Sequence, residues 1–190
     1  MAYDIKDVFY LSTGLTIATG NTGATTSQLD LSAYIDPITT RSRKGTGLAI
    51  YKTYYSIVNS EDTNEVAPKV TDEGVMSFSL QAGAGLGDVA TGGLNTSAPT
   101  IYQSSNALLV SAGNFYGMAS GATSTPVPMD YIMPSEKVPY VIVRDNVCLV
   151  YNVSTSQQFE SNSKIAVRLE CAQITLDQAT LNQLLRTQTV

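Results

Sequence analysis

The sequence contains no histidine and no tryptophan. Without histidine, Ser-His-Asp and Cys-His catalysis are excluded, and most zinc and haem sites lose their usual ligand. The ordinary sensor for a switch near neutral pH is missing too. Without tryptophan there is no Cys…Trp…Cys signature of an immunoglobulin-type sandwich, and the strongest aromatic platform for cations and sugars is absent. The two cysteines, Cys148 and Cys171, are too few for a disulfide scaffold. Cys171 follows Ile165, Val167 and Leu169 at every second position and Cys148 lies in an apolar run, so both are expected to be buried free thiols. Sequence alone leaves a bridge between them open, because it does not fix their separation.

Charge is also scarce, at 14% of residues against about a quarter in an average soluble domain. The 11 basic and 16 acidic residues give a net charge of −5, with no basic residue between Lys69 and Lys137. That balance argues against general nucleic-acid binding. The opening MAYDIKDVFY sets one Lys against two Asp, so it supplies no basic arm for a genome. The polar surface must come from Ser, Thr, Asn, Gln and Gly, and such a surface is weakly protected from association. It suits a protein that touches copies of itself, and an ordinary extracytoplasmic β-domain equally. No apolar run reaches the ~18 residues of a membrane-spanning helix, and the acidic N-terminus does not read as a secretion signal.

What is present is strand signal. The 190 residues suit a single domain, residues 1–190, with a real core. QLDLSAYI alternates Leu29, Leu31, Ala33 and Ile35 with polar neighbours, and VMSFSLQ alternates Met76, Phe78 and Leu80 with outward Ser77, Ser79 and Gln81. GLAIYKTYYSIV, residues 47–58, is apolar on both faces, with Ala49, Tyr51, Thr53, Tyr55 and Ile57 on one side and Leu48, Ile50, Lys52, Tyr54, Ser56 and Val58 on the other. Such a strand is central in a sandwich or covered by another subunit. YVIVRDNVCLVYNV reads as a hairpin turning at Asp145 and Asn146. KIAVRLEC reads as a further strand. Residues 1–26 read as an N-terminal arm, residues 82–128 as Gly/Ser/Thr-rich loops with weak strands at TIYQ and ALLVS, and STPVPMDYIMPSEKVP as a proline-punctuated connection. About eight antiparallel strands follow, an all-β single jelly roll or β-sandwich with a short C-terminal α-helix.

The helix is expected over 175–187, about 18 Å long. Thr175 and Gln178 suggest a capping box, and Asp177 and Arg186 complement the dipole at either end. Leu181, Leu184 and Leu185 form an apolar stripe that must be buried, for which the chain's own sheet is the simplest partner and a neighbouring subunit the alternative.

No motif proves an activity. The acids of NSEDTNE lack the EF-hand spacing for calcium, and GAGLGDVATGG lacks the spacing of a phosphate loop. Sequence assigns no catalytic, cofactor-binding or metal-ligating residue. The candidate subunit contacts are Tyr51, Tyr54, Tyr55, Leu181, Leu184 and Leu185. The one basic cluster, Arg41, Arg43 and Lys44, is a candidate basic contact for an acidic neighbour, a lipid head group or nucleic acid, with a solvated turn as the plain reading.

LDLSAYIDP followed by TGLAIYKTYYSIV, the Gly/Ser/Thr-rich middle, the late YVIVRDNVCLVYNV and the strand-to-helix ending RLECAQITLDQATLNQLL together resemble a single jelly-roll viral capsid protein, from about residue 27 to 187. Within that group the pattern is similar to the small major capsid proteins of tailless icosahedral DNA viruses with an internal membrane, the sphaerolipovirus-like group. The resemblance implies a non-enzymatic shell protein of the virion, made in the host cytoplasm and without cofactors. It implies pentamer or hexamer capsomers of the chain with itself, companion capsid proteins, an internal membrane beneath the shell and no direct contact with nucleic acid. It carries no site motif. The alternative is a lectin-like or adhesin β-sandwich that binds glycans or a receptor.

Overall fold

The computed structural model describes residues 7–21, 23–36, 44–60, 74–83, 106, 108–117, 127–153, 159 and 161–188. They form nine strands and one helix: β1 (Phe9–Ile17), β2 (Thr25–Asp30), β3 (Lys44–Asn59), β4 (Gly74–Gln81), β5 (Leu109–Gly117), β6 (Val127–Ile132), β7 (Tyr140–Ile142), β8 (Asn146–Val153), β9 (Ser163–Asp177) and α1 (Gln178–Thr187). Every strand pairing is antiparallel, and the pairs nest: β1 with β9, β2 with β8, β3 with β7, β4 with β5. The chain is thus one long ribbon rolled over itself, which is what defines a jelly roll. Rolling yields a four-stranded sheet, β1-β9-β3-β7, and a five-stranded sheet, β2-β8-β4-β5-β6. β6 extends the second sheet beyond the eight strands that the ribbon requires.

The longest pairing joins β3 to β9 and explains why β3 is apolar on both faces. The register slips between Ile50 and Lys52, leaving Tyr51 as an extra residue. A β-bulge of this kind reverses which face an alternating pattern addresses. Leu48 and Ile50 point into the sandwich before it, and Tyr55 and Ile57 after it. Ala49 and Tyr51 instead join Ala172 in a small cluster on the opposite face.

Between the sheets lies a single core that includes Ile17, Leu48, Ile50, Met76, Phe78, Leu149, Ile165, Val167 and Leu169. Burial of each such side chain contributes about 1.5–3 kcal/mol. Phe78 is its centre, with ring centroids of Tyr55 at 4.4 Å, Phe115 at 5.1 Å and Tyr131 at 6.2 Å. Gly113 makes this cluster possible, since a Cβ there would lie 2.3 Å from Phe78 Cζ and 2.6 Å from the Tyr131 ring. Cys171 is in this core, Cys148 is buried outside it, and no disulfide joins them.

Several local expectations are corrected. Residues 9–17, expected within an N-terminal arm, form β1. The LDLSAYI strand ends at Asp30, whose carboxylate accepts from Ser32 N at 2.8 Å, and Leu31 then accepts from the Tyr34 and Ile35 amides. A side chain that captures the amide two residues on favours a turn over the ladder. The turn keeps Leu31 and Ile35 buried, which is why the apolar alternation survives it. Asp145 and Asn146 do not turn a hairpin, because β7 belongs to one sheet and β8 to the other. A two-residue type I′ turn needs positive φ at both positions, and among the described non-glycine residues only Asp7 has one. Part of the proline-punctuated connection is a strand, β6, placed at the sheet edge where a residue without N–H is tolerated. Ser77, Ser79 and Gln81 leave the core side as expected but are buried there. They are satisfied by one another and by neighbours: Ser77 donates to Asn114 at 2.8 Å, Gln81 donates to Ser79 at 2.8 Å, and Asn106 donates to Gln81 at 3.2 Å.

Candidate assembly surfaces

The face of the four-stranded sheet that points away from the core has two parts. At the β7 side it is closed by α1. Asp177, the last residue of β9, caps the helix by accepting from Thr180 N at 2.7 Å. That bond holds the Asp177 carboxyl below its ordinary range. The helix therefore starts at Gln178, later than the Thr175 capping box implies, because β9 stays paired to β3 as far as Asp177. Leu181 is fully buried with Val143 and Leu176, while Leu184 and Leu185 pack at the margin of this cluster. Gly45 admits the stripe, since a Cβ there would stand 2.6 Å from Leu181 Cδ2.

Gln188 completes the closure. Its Nε2 donates to Val141 O at 2.7 Å and its Oε1 accepts from Val143 N at 3.2 Å. β7 is the edge strand of its sheet, bonded to β3 on one side only. Residues of an edge strand at period two turn their backbone groups alternately toward the neighbour and toward solvent. The Gln188 amide thus takes the place of a further strand on the outer edge of β7. Only 3% of Gln188 is exposed.

Among the described residues nothing covers the β1 side of the same face. Three cations lie flat on it. The Arg168 guanidinium sits 4.4 Å from the Tyr10 ring centroid and the Lys52 ammonium 4.9 Å from that of Tyr54. Lys164 runs across Gly14, where a Cβ would meet its Cε at 2.8 Å. Tyr54 donates its hydroxyl to Glu170 at 2.9 Å, and that bond raises the phenol above its ordinary pKa.

The residues expected at subunit contacts divide between these settings. Tyr54 is 41% exposed on the open part. Tyr51 is on the same face but buried against Ala49 and Ala172. Tyr55 is corrected to the interior: the bulge turns it inward, and its hydroxyl pairs with Ser111 at 2.5 Å. Leu181 is buried under its own helix. Leu184 and Leu185 are half-buried at the helix margin. Lys44 is exposed at the start of β3, and Arg41 and Arg43 lie outside the described residues. Sequence reasoning passed over Tyr10, Arg168 and Glu170, whose shared face depends on a register no single strand encodes. It passed over Gln188 because an edge-bridging amide has no pattern.

Burial pushes the Cys171 thiol up to about 12, which leaves it neutral and unreactive near neutral pH. Among the described residues no group of three His, Cys, Asp or Glu could hold a metal ion, and no helix is long and apolar enough to cross a membrane.

No family model matches the sequence, and no curated protein matches it. Solved structures do match in fold. The unassembled KI polyomavirus VP1 pentamer superposes with a TM-score of 0.50 at 10% identity, covering 93% of this chain and 98% of that one. The human polyomavirus 6 VP1 pentamer matches with a TM-score of 0.45 at 9% identity over 93% and 97% of the two chains. The unassembled Merkel cell polyomavirus VP1 pentamer gives 0.42 at 7% identity over 92% and 97%. At such identities the likeness is one of fold, and the first of these matches agrees with the nested strand pairing in making this chain a jelly roll.

Proposed function

We propose that the chain is a structural viral capsid protein that self-assembles into an icosahedral shell and has no enzymatic role. The observation that carries this reading is the rolled ribbon itself, in the strand order β1-β9-β3-β7 and β2-β8-β4-β5. It is matched along nearly the full length of both chains by a protein whose unassembled unit is a pentamer. A fold does not fix a function, but this one is joined here to a surface poor in charge and rich in Ser, Thr, Asn and Gln. Homo-oligomeric capsomers are the unit expected, with weak contacts multiplied by valency. Companion capsid proteins, an internal membrane of the sphaerolipovirus-like kind, synthesis in the host cytoplasm and residence in the virion are parts of the same proposal. A sugar-binding role is less well supported, because Tyr10 and Tyr54 already carry a cation on one ring face.

Gel filtration with multi-angle light scattering, followed by electron microscopy of any large species, tests the reading. Pentamers, hexamers or closed shells are expected. A monomer at every concentration refutes self-assembly.

A further inference from the structure

The crossing from β7 to β8 passes beside the end of β2, and polar oxygens gather there. Leu31 N donates to Asp145 O at 2.6 Å, and the β2–β8 register sets Asp30 opposite Asn146. Because Leu31 and Asp145 carry the ladder bond, Asp30 and Asn146 form the neighbouring pair without one. In such a pair the Cα atoms are about 4.5 Å apart and the side chains stand closest. Both point away from the core, since the adjacent Leu29 and Val147 pack into it. Asp145 joins them, its carboxylate accepting from Asn146 Nδ2 at 3.1 Å. The Asn146 amide is thus flanked by two carboxylates, one bonded to it and one across the ladder.

That amide is only half satisfied. Asn146 is 6% exposed, and its Oδ1 has no hydrogen-bond partner. Buried acceptors are almost always paired. Turning the amide over gives no relief, because its oxygen would then meet the Asp145 carboxylate, acceptor against acceptor. Asp30 and Asp145 are both exposed. The Asp30 carboxylate accepts from Ser32 N at 2.8 Å, a bond that holds it below its ordinary range and so ionised. Two carboxylates and an amide oxygen share a small space, and one kind of group can satisfy all three at once: a hard divalent cation. Calcium takes about six to eight oxygens from carboxylates, side-chain amides, carbonyls and water in irregular geometry, whereas magnesium demands a near-ideal octahedron.

We propose that Asp30, Asp145 and the Asn146 Oδ1 form a calcium site at the junction of β2 with the β7–β8 crossing, water completing the coordination. β7 and β8 belong to different sheets, so a cation held here fastens the crossing between them and couples the stability of the domain to calcium. With only two charged ligands the dissociation constant falls in the range of about 0.1–1 mM. The site lies within one chain and is independent of the capsid reading.

Calorimetric titration with CaCl2 and thermal melts test it on wild type, Asp30→Asn and Asp145→Asn. Asparagine retains an oxygen for the Ser32 amide or for Asn146 Nδ2, so each variant keeps its local bond and loses only charge. For a dissociation constant of ~1 mM, about 10 mM CaCl2 shifts the folding equilibrium about elevenfold, which raises the melting temperature of a chain of this size by about 3–6 °C over EDTA. Each variant should lose most of that rise and bind calcium about tenfold more weakly or worse. Asn146→Asp should show opposite signs: a lower melting temperature than wild type in EDTA, where three carboxylates repel, and a larger rise with calcium. Absence of a calcium-dependent rise in wild type would overturn the site. An equal rise in wild type and both asparagine variants would overturn it too, since general screening or another locus would then be responsible. An equal rise with MgCl2 would overturn the assignment to calcium. Light scattering on the same samples reports self-association separately, so failure of the capsid reading and failure of this site are told apart.

Discussion

Replacing Gln188 by Ala isolates what the terminal helix does for the sheet. The substitution removes the bond to Val141 O at 2.7 Å and the bond from Val143 N at 3.2 Å. Val143 is 1% exposed, so its N–H is left without an acceptor. An unsatisfied buried donor costs about 1–3 kcal/mol, and the second bond contributes roughly 1 kcal/mol net. Freeing a glutamine side chain returns about 1.5 kcal/mol of rotamer entropy. The balance is a loss of about 0.5–2.5 kcal/mol, or about 1–10 °C in melting temperature for a chain of this size. Thermal unfolding measures the sum, and hydrogen exchange at the Val143 amide measures the part that matters. Gln188→Glu sharpens the test. At neutral pH its carboxylate still accepts from Val143 but opposes the Val141 carbonyl, so it should destabilise more than Ala. Acidification restores a donor and should narrow the difference. Unchanged Val143 exchange with an unchanged melting temperature in Gln188→Ala would refute the bridge.

The interior and the cap yield further expectations. Tyr151 is fully buried and its hydroxyl has no partner among the described residues, so Tyr151→Phe should stabilise by about 1 kcal/mol in urea titration. Tyr55→Phe should act in the opposite direction by about 1–2 kcal/mol, because it orphans the buried Ser111 hydroxyl; two changes of the same sign would contradict this account of the core. Asp177, whose carboxyl is held below its ordinary range by the Thr180 amide, contributes stability above its unfolded pKa and loses that contribution as pH falls through the depressed folded value. Asp177→Asn should therefore show a shallower acid loss of the urea midpoint between about pH 5 and pH 2 than wild type.

Much of the fold was legible because most of its strands obey a period of two. Ile165, Val167, Leu169 and Cys171 read inward from the sequence and are inward, as are Met76, Phe78 and Leu80. What failed depends on pairing. The apolar residues of β3 fall on one face only if a residue is skipped at Tyr51, and no local pattern marks the skip. Tyr55 was misplaced for that reason alone. Asp145 and Asn146 lie between two apolar runs whether those runs pair or separate into two sheets, so composition could not distinguish a hairpin from a crossing. The open cationic face was illegible for the same cause. Its members come from β1, β9 and β3, and Tyr10, Glu170 and Lys52 become neighbours only through the registers Tyr10↔Glu170 and Lys52↔Glu170.

The treatment of sheet edges and faces bears on how such a domain can assemble. An uncovered edge strand invites another chain to add a strand, a contact that is strong and indifferent to geometry. β7 is three residues long and pairs only with Leu48–Ile50 of β3. Its outer side is taken by the Gln188 amide, and the β3 strand bulges immediately beyond that pairing. Short length, a covering helix and a bulge are each means of disarming an edge, and all three coincide here. Association through β7 is thereby suppressed while the β1 side of the same sheet keeps its exposed tyrosines and cations. A shell needs the second kind of contact: individually weak, fixed in direction and reversible enough to correct misplaced subunits. In the capsid reading proposed above, α1 would shape assembly by what it prevents: it closes the β7 edge on its own sheet and, among the described residues, leaves the β1 side of that face uncovered.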